Sequence, residues 1–159
     1  MTGFRVSFPT AGARPGTTMA NGSTREAVRV TTWTDVINYV RTRYEVLEEN
    51  DSWLRFRLDT EGTRTQQVAV HHVPDADGRA WLEISSAVGR ADAVDQRRLL
   101  ELAGTALIGG AAVAGGVALL KHTVPLEDLS VLEEFERPLK LLVASADAFE
   151  HELTNADDF

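Results

Sequence analysis

Cysteine is absent from the sequence, and this absence excludes several kinds of site. A disulfide framework, a thiolate metal site and a cysteine nucleophile all need that side chain. The first 27 residues also lack an apolar run long enough to form the core of a signal peptide. We therefore expect no secretion signal in these residues, and we favour a cytoplasmic location.

Positive charge is scarce as well. The chain has 16 Lys and Arg residues against 24 Asp and Glu residues, which gives a formal net charge of −8 at pH 7. Proteins that bind nucleic acids hold the phosphate backbone with clustered Lys and Arg side chains. This balance predicts no nucleic-acid partner.

The sequence lacks the common motifs of catalysis and phosphate binding. Its glycines match neither Gly-x-x-x-x-Gly-Lys-Ser/Thr nor Gly-x-Gly-x-x-Gly. Ser85, Ser86 and Ser145 lie outside any nucleophile-elbow context. We therefore expect no enzyme activity and no bound cofactor.

Two short segments resemble metal-binding motifs only weakly. His71 and His72 are adjacent, and neighbouring side chains of a strand point to opposite faces, so this pair cannot hold one ion together in the usual way. Residues 75–78, Asp-Ala-Asp-Gly, begin like a calcium loop but lack the later acidic ligands. We expect one partly buried and one solvated histidine, a turn at residues 75–78, and no metal site.

The length of 159 residues suits a single domain. Residues 1–27 are rich in glycine, threonine and arginine and predict a flexible N-terminal arm. Residues 28–154 predict one α+β domain, and residues 155–159 form a short acidic tail.

Apolar residues recur at three- and four-residue steps from Thr32 onward, which predicts a first helix over residues 32–49. This stripe consists of Trp33, Val36, Ile37, Val40, Tyr44 and Leu47. Thr32 followed by Asp35 resembles a capping box at the start of the helix.

Three strands are predicted after this helix. Residues 53–58 alternate strictly, which places Leu54, Phe56 and Leu58 on one side. Residues 66–73 predict a second strand and residues 81–88 a third, separated by a turn-rich segment. We expect the three strands to form an antiparallel meander.

A second helix is predicted over residues 92–108, and its end overlaps an uncharged stretch, residues 102–120. That stretch is long enough to cross a membrane. Gly109-Gly110 and Gly115-Gly116 favour another interpretation, in which the helix ends at the first pair and a hairpin turns at the second. We favour the hairpin, whose strands are residues 111–114 and 117–124.

The last part of the chain repeats the helical spacing. The apolar residues of this seam are Leu132, Phe135, Leu139, Leu142, Ala146, Phe149 and Leu153. Either the helix kinks at Pro138, or it starts there and residues 126–136 form a separate short element. The expected fold is α+β with the order α-βββ-α-ββ-α, an antiparallel sheet with helices packed on it.

That order and two segments of the sequence resemble the type III secretion chaperone-like superfamily. Residues 116–129 read Gly-Val-Ala-Leu-Leu-Lys-His-Thr-Val-Pro-Leu-Glu-Asp-Leu, and residues 146–153 read Ala-Asp-Ala-Phe-Glu-His-Glu-Leu. Within the superfamily, the sequence is similar to the bacterial YbjN-like branch. The resemblance covers about residues 31–153 and departs from the family at the Gly- and Ala-rich connection before the fourth strand.

The resemblance implies a homodimer, commonly formed through the second helix, that holds an extended segment of a partner protein against its sheet and helices. The YbjN-like branch implies a sensory or stress-response regulator that acts through protein contacts. Neither branch is known for catalysis.

Two candidate surfaces follow from the pattern. The outward sides of the first and third predicted strands form a partner-binding face, because Trp and Arg are enriched at interface hot spots. The residues of this face are Trp53, Arg55, Arg57, Trp81 and Glu83. The alternative is that both tryptophans belong to the core and the arginines only solvate the sheet.

The second candidate surface lies on the second helix, which is apolar on more than one side. Its apolar residues are Leu99, Leu100, Leu102, Ala103 and Leu107. A dimer interface would cover the second side, and the alternative is a larger core within one chain.

We therefore expect a non-catalytic, chaperone-like adaptor that binds an extended or partly folded polypeptide as a homodimer. One alternative is a YbjN-like regulatory domain that acts through protein–protein contacts. Another, from a different class, is an enzyme or small-ligand binder at a pocket between sheet and helices, which only His71 and His72 favour.

Overall fold

A computed structural model describes residues 31–60, 62–126 and 130–154. The predicted N-terminal arm and acidic tail lie outside these residues, as does Leu129 at the end of the first motif. The elements are α1 (Trp33–Arg43), β1 (Glu45–Glu49), β2 (Trp53–Asp59), β3 (Thr65–Pro74), β4 (Ala80–Arg90), α2 (Gln96–Ala103), β5 (Gly110–Ala114), β6 (Val117–Pro125), a π-helical turn (Leu132–Glu136) and α3 (Arg137–Thr154). The fold is α+β, as predicted.

The six strands form one antiparallel sheet in the order β1-β2-β3-β4-β6-β5. The consecutive pairing of β2, β3 and β4 confirms the predicted meander. Buried and half-buried residues alternate along these strands, and all three helices contribute to the single core that lies against one face. The largest fully buried apolar side chains are Phe56, Phe135, Leu54, Leu82, Ile84, Leu120, Leu139 and Leu142.

α1 begins with the predicted capping box. The side chain of Thr32 accepts a hydrogen bond from the backbone N–H of Asp35, and the Asp35 carboxylate accepts one from the backbone N–H of Thr32 at 2.9 Å. Two N–H groups that have no partner inside the helix are thereby satisfied.

α1 ends at Arg43, so the prediction of a helix through residue 49 is wrong. Tyr44 adopts an extended backbone, with φ −130° and ψ 157°. Tyr44 and Val46 then pack against the core, and the Tyr44 ring lies 5.3 Å from that of Phe56. A longer helix would leave the edge of β2 unpaired, whereas β1 pairs with it.

α2 is shorter than the predicted helix over residues 92–108. Asp95 caps it by accepting a hydrogen bond from the backbone N–H of Arg98, and Gly104 ends it. A turn precedes the cap, in which the N–H of Val94 bonds to the carbonyl of Arg90. Asp92, also a favourable N-cap residue, lies in this turn, so the helix starts only after Asp95.

The uncharged stretch 102–120 folds as a helix end followed by a hairpin. β5 and β6 pair antiparallel around Gly115 and Gly116, as predicted. Both glycines have positive φ, 57° and 80°, which a tight two-residue hairpin turn of this kind requires. None of the helices within the described ranges is both long and apolar enough to span a membrane.

The C-terminal helix matches neither alternative for Pro138 in full. The π-helical turn Leu132–Glu136 is a distinct short element, but its backbone continues directly into α3, and Pro138 is the second residue of α3. Pro138 therefore lies within a continuous helical segment, directly after a turn in which the N–H of Arg137 bonds to the carbonyl of Leu132 instead of following the α-helical pattern that proline interrupts.

Candidate functional site

The predicted partner-binding face lies on the side of the sheet that no described helix covers. Trp53, Arg55 and Arg57 project there from β2, while Trp81 and Glu83 project from β4. Neighbouring side chains leave all five only partly exposed. The structure therefore brings these residues onto one surface, in two groups separated by β3, and partner binding there stays a prediction.

The two arginines of this face have carboxylate partners within the chain. Arg55 forms a salt bridge with Glu48, and Arg57 forms one with Glu45 at 3.2 Å. Both acids belong to β1, which the sequence pattern had assigned to a helix. The face is therefore charge-balanced at these positions and does not present free cations.

A row of polar and aromatic side chains crosses the same face. The carboxylate of Glu83 lies 2.6 Å from Nζ of Lys121 on β6 and 3.9 Å from Nδ1 of His71 on β3. The His71 ring in turn lies 6.0 Å from the ring of Trp53. These cross-strand contacts fix the side chains of the face in place.

The turn at residues 75–78 is present as predicted and anchors one tryptophan of the face. The Asp75 carboxylate accepts hydrogen bonds from the indole N–H of Trp81 at 3.0 Å and from the backbone N–H groups of Asp77 and Arg79. These hydrogen bonds hold the pKa of Asp75 below its ordinary value, and the bond from Trp81 has the largest effect. Asp75 thus acts as a turn residue.

The adjacent histidines point to opposite sides of the sheet, as predicted. His71 lies on the open face, whereas His72 stacks on Trp33 with ring centroids 5.6 Å apart. Residues 31–60, 62–126 and 130–154 contain no group of three or more His, Cys, Asp or Glu side chains that could hold a metal ion.

The predicted dimer residues, four on α2 and Leu107 beyond its end, divide between core and surface. Leu99 and Leu102 are buried in the core of their own chain, and Ala103 packs partly against it. A partner could not contact Leu99 or Leu102 without opening that core. Leu100 and Leu107 remain exposed, at 63% and 81% of their full accessibility.

More exposed apolar residues surround this region. Leu107, Leu132 and Leu141 line a depression of about 330 Å³, and Val113 on β5 is 56% exposed. The helical pattern had placed Leu132 in the buried seam with Leu139. The π-helical turn, with its i→i+5 hydrogen bonds, shifts the residues before it relative to the α-helical repeat, so Leu132 leaves that face and reaches solvent.

The two edges of the sheet differ in chemistry. β1 carries Glu45, Glu48 and Glu49, and its pairing is irregular between Val46 and Glu48, features that discourage pairing with another strand. β5, Gly110–Ala114, has no charged residue, and β6 is its only neighbour among the described strands. β5 is therefore the edge better suited to accept a further strand.

A cleft of about 1040 Å³ lies between the end of α1, the end of β2 and α3. Leu58, Val143, Ala144 and Ala148 supply its apolar lining. Sequence analysis did not find this cleft, because its walls are brought together only by the pairing of β1 and by the docking of α3.

Asp147 anchors one end of the cleft. Its carboxylate accepts hydrogen bonds from Nε and Nη2 of Arg64, at 3.0 and 2.6 Å, and from the hydroxyl of Thr60 at 2.9 Å. Burial acts to raise the pKa of Asp147, but the bonds from Arg64 and Thr60 outweigh burial and lower it. This ionised pair fastens the β2–β3 connection to α3.

The other end of the cleft is cationic. Lys140 pairs with Glu136 at 2.7 Å, while the Arg43 guanidinium lies 4.0 Å from the centroid of the Tyr39 ring. In the described part of the chain, no carboxylate lies within salt-bridge distance of Arg43. Burial raises the pKa of Tyr44, which lines the cleft between these groups.

A buried polar chain lies behind this cleft. The hydroxyl of Ser86 donates to Oε1 of Gln66 at 2.8 Å, and Nε2 of Gln66 donates to the carboxylate of Glu150. Asp147 and Glu150, both within the second motif of the sequence, therefore hold α3 to the sheet.

Comparison with known proteins gives no match: no family model, no curated protein and no solved structure matches the chain. The function is therefore inferred from the geometry of these surfaces.

Proposed function

We propose that the chain is a non-catalytic, chaperone-like adaptor that forms a homodimer and binds an extended or partly folded polypeptide in the cytoplasm. The observation that carries the proposal is the exposed apolar group Leu107, Leu132 and Leu141, together with the exposed Val113 on the uncharged edge strand β5. Exposed apolar clusters of this kind mark protein–protein interaction sites. The resemblance to secretion chaperones supports the same conclusion.

The dimer forms by pairing of β5 with β5 of a second copy. Antiparallel pairing about a twofold axis is self-complementary, so one uncharged edge serves both partners. The two sheets then join into one, and Leu107 and Val113 of each copy become covered. Stable interfaces bury roughly 800 Å² per partner, more than a five-residue strand supplies, so the apolar side chains beside β5 must contribute.

Light scattering after size-exclusion chromatography tests the dimer. We expect the wild-type chain to have twice the 17.4 kDa mass of one chain. The double variant Leu107→Lys/Val113→Lys places like charges at the joined edge of both copies and is expected to be monomeric. Val73→Lys is the matched control, because Val73 is an exposed valine on β3, away from β5. A monomeric wild type, or a double variant that stays dimeric, would contradict the proposed interface.

Crosslinking in the host, followed by purification and mass spectrometry, tests the adaptor role. We expect one recurrent polypeptide that aggregates when expressed alone and stays soluble when expressed with this chain. A recurrent partner that is folded and soluble without the chain would instead favour the regulatory alternative. Recovery of no recurrent polypeptide would argue against both.

A further inference from the structure

The cleft between α1, β2 and α3 has the dimensions of a groove for an extended chain. Along α3 its lining runs from Lys140 to His151, roughly 16 Å at the rise of an α-helix. An extended chain advances about 3.3 Å per residue, so the groove matches about five residues. Its volume of about 1040 Å³ lies at the upper end of the range for small-molecule pockets.

An open strand edge borders this cleft. β1 begins at Glu45 opposite Arg57, so Leu58 and Asp59 of β2 have no β1 residue beside them. An added segment can pair with a strand edge through main-chain hydrogen bonds, a common mode of peptide recognition. This edge favours a polypeptide over a compact small molecule.

The wall opposite the strand edge is formed by α3 and carries small apolar side chains. Ala144 and Ala148 are exposed and lie one helical turn apart on α3, next to Val143. Their small side chains leave room for the backbone and alternate side chains of an added segment. Leu58 and Val143 are already buried in the core, so Ala144 and Ala148 supply the exposed apolar surface that such a segment would cover.

The charges at one end of the cleft are unusual for this protein. The whole chain has a net charge of −8, yet Arg43 and Lys140 lie together at this end. Among the described residues, no carboxylate lies within 4 Å of Arg43, whereas Lys140 pairs with Glu136, whose pKa is lowered by Lys140 and also by Arg43. Glu45 lines the same part of the cleft but pairs with Arg57. An ammonium group has three donors, so Lys140 can also bind a second acceptor.

We propose that this cleft binds an extended segment of about five residues that carries a carboxylate at the end beside Arg43 and Lys140 and apolar side chains over the α3 wall. The inference rests on the proposed function, because it names the chemistry of the bound polypeptide. The acidic surface elsewhere repels such a segment, so the two cations select where and in which direction it binds.

Fluorescence anisotropy with two labelled peptides tests the cleft. The probes are Glu-Leu-Thr-Val-Thr-Leu and Lys-Leu-Thr-Val-Thr-Leu, each labelled at the C-terminal end and acetylated at the N-terminus. We expect the Glu peptide to bind wild-type protein at least tenfold more tightly than the Lys peptide. We expect Arg43→Glu to weaken binding of the Glu peptide at least tenfold, and Ala144→Trp to abolish it by filling the groove.

Two matched controls separate the cleft from the general surface. Arg79→Glu reverses an arginine that lies outside the cleft, and Glu133→Trp adds the same bulk at an exposed position outside the cleft. Both are expected to bind the Glu peptide like wild type. The proposal would be overturned if the two peptides bound equally tightly, or if Arg43→Glu and Ala144→Trp left binding of the Glu peptide unchanged. It would also be overturned if inorganic phosphate displaced the Glu peptide as effectively as the unlabelled Glu peptide does.

The dimer mass and the crosslinked partner of the same variants distinguish the two proposals. If Arg43→Glu and Ala144→Trp remain dimeric and still retain the host partner, the cleft proposal fails while the adaptor role stands. If wild-type protein is monomeric and has no partner, the adaptor role itself fails.

Discussion

Gln66 of β3 donates a hydrogen bond from Nε2 to the carboxylate of Glu150 on α3, and both side chains are almost completely buried. Ser86 of β4 donates to the carbonyl oxygen of the same amide. Burying polar groups costs free energy unless they are hydrogen-bonded, so the three side chains favour one position of α3 on the sheet. In that position α3 forms one wall of the cleft.

Replacing Gln66 by leucine is expected to destabilise the fold. Gln66→Leu removes the amide that joins Ser86 to Glu150, and we expect the free energy of unfolding to fall by about 1–3 kcal/mol. Urea denaturation followed by circular dichroism measures this. Gln67→Leu is the control, since Gln67 lies on the opposite face of the same strand and is only partly buried. If Gln66→Leu were as stable as wild type, the buried hydrogen bonds between Ser86, Gln66 and Glu150 would contribute nothing to the stability of the fold.

Asp147→Asn is expected to make stability less dependent on pH. The pKa of Asp147 is lowered in the folded protein. Its contribution to folding stability is therefore fully present above the pKa of Asp147 in the unfolded chain, about 3.9, and is lost as the pH falls through its pKa in the folded protein. We expect Asp147→Asn to lose about 1–3 kcal/mol at pH 7, and the difference from wild type to narrow below about pH 4.

Denaturation at pH 7 and pH 3 measures this difference. Asp92→Asn is the control, because Asp92 pairs with Arg90 on an exposed surface, where ion pairs contribute little. A difference between wild type and Asp147→Asn that is the same at both pH values would contradict the assignment.

Gly109→Ala is expected to destabilise the junction between α2 and β5. Gly109 has φ +83°, and an added Cβ would lie 2.7 Å from Cδ1 of Leu142 and 3.2 Å from the carbonyl oxygen of Lys121. Left-handed backbone and close contact together cost about 1–3 kcal/mol. Gly110→Ala is a matched control, because no atom lies within 4 Å of its added Cβ and its φ is not in the left-handed region. Thermal unfolding measures the midpoint temperature of each variant. If Gly109→Ala and Gly110→Ala lowered this midpoint equally relative to wild type, the account would be contradicted.

Local patterns were sufficient to predict the meander and the hairpin. The alternation around Phe56 and the pair Gly115-Gly116 depend on neighbours in the sequence, and both are present as predicted. The end of α1 was mispredicted because Tyr44 and Leu47 fit a helical spacing. The extended conformation of residues 45–49 depends instead on pairing with the edge of β2, which the local pattern does not contain.

The cleft could not be predicted for the same physical reason. The hydrogen bond between Thr60 and Asp147 joins residues 87 positions apart, and no short sequence pattern records such a contact. The composition of the open face of the sheet was predicted in part, since alternation places Trp53 and Trp81 on one side. The acids that neutralise its arginines come from β1 and were therefore missed.

The capping box at Thr32 gives a final prediction about α1, whose end forms part of the cleft. Thr32→Ala removes the oxygen that accepts the N–H of Asp35, and we expect the free energy of unfolding to fall by about 1 kcal/mol. Thr32→Ser keeps that oxygen and is expected to retain most of the stability. Urea denaturation at pH 7 compares the three proteins. If serine and alanine destabilised the chain equally, the loss would come from the methyl group of Thr32 and the capping hydrogen bond would contribute nothing measurable.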